Sequence, residues 1–253
     1  MRRLVAALAA AWALVACDRA PGAEPPRAAP SAPRPPISSA QAPRPGLVRV
    51  ELVKGGAAPT DALPLIVALH GLGDDAQNFS AVFDGLEARA RGGVLPAPTR
   101  HGAGGSWFAT RREAGGVTAP TAGLVAAAEL VAAEVRAIVA ARPTAGKPVV
   151  TGFSQGGMLS FTLALRHGEL FARAVPVAGW LPEPLWPAVA PPGAAPIVAL
   201  HGDADDVLPV APTRAGVAHL RGLGLEVELR EFHGVRHSIL REERAVMFVE
   251  LSR

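Results

Sequence analysis

Ser154 stands in Gly152-Phe153-Ser154-Gln155-Gly156, a serine with a glycine two residues to either side. An apolar run, Val149-Val150-Thr151, precedes it, and Met158, Phe161, Thr162 and Leu165 follow at helical spacing. A serine on a sharp strand-to-helix turn is the nucleophile-elbow pattern G-x-S-x-G. Side chains at Gly152 or Gly156 would obstruct such a turn. The turn lifts the hydroxyl above the sheet edge and aims the first amides of the new helix at a forming oxyanion. Serine chemistry of this kind needs a base for the hydroxyl proton, a carboxylate to orient that base and donors for the oxyanion.

The pattern is short, and its partners decide its meaning. In α/β-hydrolases an acid and then a histidine follow the serine. After Ser154 the chain offers His201-Gly202-Asp203-Ala204-Asp205-Asp206-Val207-Leu208-Pro209, then His233-Gly234-Val235-Arg236-His237-Ser238. Both stretches follow strand-like runs, where open α/β sheets place their sites. On order alone Asp203, Asp205 and Asp206 are candidate acids, and His233 and His237 candidate bases.

The elements that must position these residues read as an alternation of strands and helices. Leu47 to Val53 alternates as an edge strand, and Leu65 to Leu69 is continuously apolar, as a buried parallel strand is. Phe79 to Ala90 reads as helical and Val94 to Ala97 as a short strand. Leu124, Ala128, Val131, Val135 and Ile138 trace one face of a long helix. Strands over Arg173 to Val177, Pro196 to Leu200 and Leu225 to Phe232 alternate with helices over Val217 to Leu223 and Ile239 to Leu251. Such an alternation predicts a mostly parallel sheet covered on both faces. No long apolar insertion that would act as a lid is visible, which favours soluble or short-chain esters.

Six stretches together resemble the phospholipase/carboxylesterase family of α/β-hydrolases, which includes bacterial carboxylesterases and acyl-protein thioesterases. They are His70-Gly71-Leu72-Gly73-Asp74, Ser106-Trp107-Phe108, the Ser154 elbow, Gly179-Trp180-Leu181-Pro182, the His201 to Pro209 loop and His237-Ser238. The resemblance implies an α/β-hydrolase fold, Ser154 as nucleophile, His237 as base and Asp205 as orienting acid, Asp205 being the aspartate four residues before the proline. It implies an oxyanion hole from the backbone amides of Leu72 and Gln155, whose side chains then matter less. It implies a small ester or thioester substrate and no cofactor. Trp107 and Trp180, in loops flanking the elbow, are candidates to line the acyl groove. Asp203 is expected to brace its own loop, His70 and His201 to order theirs, and His101, His167 and His219 to lie on the surface. The segment Arg100 to Thr118, apart from Ser106-Trp107-Phe108, and the absence of tyrosine lie outside the resemblance.

Charge and composition exclude other classes. The formal net charge is +3, but Arg2, Arg3, Arg19, Arg27, Arg34 and Arg44 precede Leu47, and no basic run suits a nucleic acid. No H-E-x-x-H or comparable ligand set points to a metal. The one cysteine, Cys17, permits no disulfide within the chain. It follows Met1-Arg2-Arg3, an apolar run from Leu4 to Ala16, and the sequence Leu14-Val15-Ala16-Cys17, which resembles a bacterial lipobox. The expected organisation is a lipoprotein signal peptide over 1–16, a lipidated Cys17 with a Pro/Ala-rich tether over 17–46, and an α/β-hydrolase domain over 47–253. The expected location is the cell envelope, with the membrane reached through the lipid anchor. Two other readings of the sequence stand beside this one: an esterase acting on polymers or feruloyl-type esters, and a catalytically silent tethered binding module.

Overall fold

The computed structural model describes residues 50–58, 60–113, 116–142 and 144–253. The expected signal peptide and tether, with Cys17 and Leu47 to Arg49, lie outside them. The chain opens with β1 (Val50–Lys54) and β2 (Leu65–Leu69), then a short α1 (Ala76–Ser80) and β3 (Ala90–Leu95). Two hairpins follow, β4 (Thr99–His101) with β5 (Gly104–Ser106) and β6 (Arg111–Glu113) with β7 (Gly116–Thr118). Next come α2 (Thr121–Ala141), β8 (Val149–Phe153), α3 (Gln155–Arg166), β9 (Arg173–Val177), β10 (Ile197–Gly202), α4 (Val210–Gly222), β11 (Val227–Phe232) and α5 (Arg241–Leu251).

The main sheet has seven strands in the order β1-β3-β2-β8-β9-β10-β11. Only β1, at the edge, runs antiparallel to its neighbour. β2 shows why its sequence is continuously apolar. Leu65, Val67 and Leu69 join one core with α2 and α3, while Ile66 and Ala68 join the opposite core with α1 and α5. Both faces are covered, so both sets of alternating side chains are buried. The face of α2 predicted by periodicity is the buried one: Leu124, Ala128, Val131 and Val135 are fully enclosed.

Three sequence expectations are corrected. The helix expected over Phe79 to Ala90 ends at Ser80, passes through one 3₁₀ turn at Ala81–Phe83, and is stopped at Gly85, whose φ is +86°. The strand expected at Val94 to Ala97 starts earlier, at Ala90. Its Gly92-Gly93 pair hides the strand signal, yet Gly92 is where Leu52 of β1 packs closely, 3.3 Å from the position of a Cβ. α4 starts at Val210 rather than Val217, because Pro212 falls in its first turn, where a missing N–H costs nothing. The Arg100 to Thr118 segment, unread in the sequence, holds both hairpins.

Candidate active site

The elbow follows from local sterics. Ser154 joins β8 to α3 with φ 57° and ψ −114°, a conformation that L-residues with side chains rarely adopt. Its amide donates to the Val177 carbonyl at 3.0 Å, which fixes the strained residue to β9. A Cβ on Gly152 would lie 2.5 Å from the Gly156 carbonyl carbon, so the two glycines make the turn possible. Gly71 lies against this turn: a Cβ there would stand 3.4 Å from that of Ser154. The loop carrying Leu72 therefore passes beside the serine. Among the described residues no hydrogen bond from the Leu72 or Gln155 amide is found.

Three side chains from separate loops meet above the sheet. Ser154 Oγ lies 3.0 Å from His237 Nε2, and His237 Nδ1 lies 2.7 Å from Asp205 Oδ2. A carboxylate can only accept, so Nδ1 carries the proton and Nε2 offers a lone pair to the serine hydroxyl. Asp205 is buried, and its Oδ1 accepts from the amides of Val207 at 2.9 Å and Leu208 at 2.8 Å. Burial alone would push its pKa up. Hydrogen bonding from His201, His237 and the Leu208 amide outweighs that and holds it well below the usual carboxylate range. His201 Nε2 donates to the Leu208 carbonyl at 2.8 Å and stands 3.4 Å from Asp205 Oδ2, so its N–H faces both acceptors. The Phe153 ring packs on the His237 imidazole with centroids 4.7 Å apart.

The rival residues stand elsewhere. Asp203 accepts from the Gly234 amide at 2.7 Å and pairs with His233 at 2.9 Å, so it ties its loop to the histidine loop rather than bracing its own alone. Asp206 pairs with Arg236. His233 is 99% exposed and points at Asp203, not at the serine. His70 and His201 are fully buried and hydrogen-bonded, as expected of loop-ordering residues.

A cavity of about 420 Å³ opens beside Ser154 and His237. Leu72, Val117, Phe153, Met158, Val207 and Leu208 give it an apolar wall, and Asp74, His101 and Thr110 add polar groups. Neither tryptophan expected in the acyl groove lines it. Trp107 is 3% exposed, donates from Nε1 to the His70 carbonyl at 2.9 Å, and packs into the core; Trp180 is half-buried against that same core. His101, expected simply on the surface, is exposed but lines the cavity. His167 is buried beside Glu129, and His219 is half-buried, stacked on Trp186. The Gln155 side chain is not idle. Its Oε1 accepts the Trp107 amide at 3.0 Å and its Nε2 donates to the Phe108 carbonyl at 2.9 Å, clamping that segment to the head of α3. Sequence reasoning missed Thr110 and Val117 as wall residues. The glycines around them carry no periodicity, and only their position between the Ser106-Trp107-Phe108 stretch and α2 marks them.

Among the described residues, no three His, Cys, Asp or Glu side chains converge in a way that would hold a metal ion, and no helix is long and apolar enough to cross a membrane. Cys17 lies outside those residues.

A sequence profile of the phospholipase/carboxylesterase family matches residues 53–250. A Nocardia uniformis subsp. tsuyamanensis protein named as an esterase, NocK, is 32% identical over 184 residues; the match covers 70% of this chain but 50% of NocK. The chain thus spans about half the length of that relative. An Oryza sativa subsp. japonica protein named as a carboxylesterase is 31% identical over 196 residues, covering 70% of this chain and 73% of the rice protein. Among solved structures, that of esterase PE8 superimposes with a TM-score of 0.68 at 24% identity, over 80% of this chain and 96% of PE8, which speaks to the fold. The extent of the profile match, together with the coverage of the rice protein, shows that this chain belongs to the phospholipase/carboxylesterase family, with an α/β-hydrolase fold.

Proposed function

We propose that this protein is a serine carboxylesterase that cleaves small carboxylic esters, and thioesters of similar acyl groups, through a covalent acyl-enzyme. One observation carries the reading: Ser154, His237 and Asp205 are joined by hydrogen bonds of 3.0 and 2.7 Å at the mouth of an apolar cavity. In the first half-reaction Ser154 Oγ adds to the acyl carbon while its proton passes to His237 Nε2. Asp205 holds the ring by Nδ1 and stabilises the imidazolium that forms. The carbonyl oxygen gains charge and is met by the amides of Leu72 and Gln155, which belong to the loop after β2 and the first turn of α3. Collapse expels the alcohol or thiol, which takes the proton from His237. Water then repeats the sequence on the acyl-serine and releases the acid.

The apolar wall suits the acyl chain, and the open mouth suits a variable leaving group. A fluorophosphonate probe is expected to label the protein, and Ser154→Ala to abolish labelling and lower turnover by roughly 10⁶, leaving the residue due to oxyanion and binding effects. Labelling that persists in Ser154→Ala removes the assignment. A panel of esters and thioesters of graded acyl length measures which leaving group is preferred.

The sequence around Cys17 supports an address for this activity. Cleavage before Cys17 and acylation of its thiol anchor the domain in the cell envelope through the tether. Membrane association then resists a salt wash, because buried acyl chains contribute about 0.8 kcal/mol per methylene and charge screening leaves that untouched. Mass spectrometry of the mature N-terminus checks this; an unmodified Cys17 sinks it.

A further inference from the structure

The Leu72 amide proposed for the oxyanion belongs to a peptide that is held from behind. His70 Nδ1 donates to the Gly71 carbonyl at 2.8 Å, and the Asp74 amide reaches the same oxygen at 3.3 Å. His70 Nε2 accepts from the Ala97 amide at 3.1 Å, so the ring proton sits on Nδ1 and both nitrogens are fixed. The Gly71 carbonyl and the Leu72 N–H belong to one trans peptide and point in opposite directions. Holding the carbonyl against the buried ring therefore turns the N–H to the other side, where Leu72 lines the cavity with Ser154. The peptide before it is held as well: the His70 carbonyl accepts from Trp107 Nε1 at 2.9 Å. Trp107 in turn is tied to α3, its amide donating to Gln155 Oε1 at 3.0 Å. His70, Trp107 and Gln155 are each at most 3% exposed, so bulk water does not compete for these bonds.

We propose that Trp107 is a positioning residue for the oxyanion hole: one bond from its indole and one from its amide set the Leu72 loop against the head of α3, and with it the spacing of the two oxyanion donors. This rests on the serine-esterase reading above. Donors aimed in advance at a forming oxyanion stabilise it because they need not reorganise as its charge grows. Leu72 and Gln155 lie on different elements, and their amides have no acceptor among the described residues. Their relative position must therefore come from contacts behind them. Trp107 does not line the cavity, so it acts through the two peptides of the loop and through the Gln155 side chain. The bulk of its ring fills the core, as another large apolar side chain would; the indole N–H is the atom that fixes the loop. When an oxyanion draws on the Leu72 N–H, the carbonyl of the same peptide gains negative charge, and the His70 Nδ1–H bond to it strengthens.

The test is Trp107→Phe in the full chain. Phenylalanine keeps an aromatic ring in the core and removes the N–H. For an aryl ester, kcat is expected to fall roughly ten- to a hundredfold with KM little changed, because a donor is misplaced rather than deleted. The affinity for an alkyl trifluoromethyl ketone is expected to fall by the same factor. Ser154 Oγ adds to the carbonyl carbon of that ketone and its proton passes to His237, which leaves an oxyanion in the hole. The secondary alcohol of the same skeleton has no carbonyl to attack, and its affinity is expected to change less than about twofold. The pH at which kcat/KM is half-maximal is expected to stay in place, because the bonds joining Ser154, His237 and Asp205 do not involve Trp107. A kcat equal to wild type, a loss shared equally by ketone and alcohol, as packing alone would give, or a shifted pH profile, as a disturbed triad would give, overturns the proposal. Should the variant not fold, benzothienylalanine in place of Trp107 keeps the bicyclic shape without the N–H, and the same outcomes decide. Wild type that hydrolyses no ester or thioester and takes no fluorophosphonate instead overturns the serine-hydrolase reading, and this proposal with it.

Discussion

A Cβ on Gly156 would stand 2.0 Å from the carbonyl oxygen of Leu69. α3 thus begins directly on the last residue of β2, the strand that leads into the Leu72 loop. The amides proposed for the oxyanion flank this contact in the chain, Gln155 just before Gly156 and Leu72 in the loop after Leu69. No side chain fits between the two elements. Gly156→Ala is expected to cost about 3 kcal/mol or more, because the obstacle, the Leu69 carbonyl, is backbone that cannot swing aside. Gly222→Ala, at the end of α4 with open space around it, is expected to be neutral or slightly stabilising. Urea unfolding of both variants measures the difference; equal midpoints would contradict the close approach.

The two aspartates of the acid loop separate by role. Asp205→Asn is expected to leave the fold in place and lower kcat by about 10⁴-fold, as loss of the orienting anion does in serine hydrolases. Asp203→Asn is expected to change kcat less than about threefold, since its partners are the Gly234 amide and the exposed His233. Steady-state kinetics with circular dichroism decides between them, and the reverse pattern would exchange their assignments.

Gln155 links the nucleophile to the wall of the core. Gln155→Ala keeps the backbone amide assigned to the oxyanion but strands the buried Trp107 amide and leaves the Phe108 carbonyl with the Ser106 hydroxyl alone. A loss of roughly 1–3 kcal/mol in stability is expected, with a rise in KM as the segment loosens. Thermal unfolding and the kcat and KM values check it; a variant as stable as wild type would mean that the clamp is dispensable.

Stability depends on pH in opposite senses at two buried acids. Asp205 has a depressed folded pKa, so its contribution is present above the unfolded value near 3.8 and is lost as pH falls below it. Glu243 has a raised one. The folded state holds its proton between the unfolded value of 4.5 and about 7, so stability falls as pH rises through that window. Glu243→Gln removes this slope. Relative to wild type it is expected to gain up to about 3 kcal/mol between pH 4.5 and pH 7, by linkage. Denaturant midpoints at several pH values measure it, and parallel profiles for the two proteins would refute it.

The elbow was legible because its determinants are local: glycines that permit a turn, an apolar run before it and helical spacing after it. The choice of Asp205 over Asp203 and of His237 over His233 came from the family pattern; in the structure His237 hydrogen-bonds Asp205 and Ser154. What stayed hidden depends on partners distant in sequence. Trp107 turns inward because the His70 carbonyl, from another loop, accepts its indole N–H. Thr110 and Val117 line the cavity because hairpins of three-residue strands fold over it, and such strands are too short to show alternation. A glutamate in the first turn of a helix normally faces water and helps cap the helix, so nothing in the sequence marks Glu243 as enclosed.

The hairpins have a consequence for how such an enzyme changes. The first is pinned to the Leu72 loop by paired backbone hydrogen bonds of 2.8 Å, Gly73 to Gly105 and Gly105 to Asp74. Val117 of the second reaches the cavity with no hydrogen bond to Ser154, His237 or Asp205. Thr110 and Val117 are thus wall residues on chain separate from the proposed machinery, whereas Leu72, Phe153, Val207 and Leu208 serve both wall and machinery. On the proposed esterase reading, a library confined to the Thr110 to Thr118 stretch is expected to alter that part of the wall while the Ser154, Asp205 and His237 loops are inherited intact.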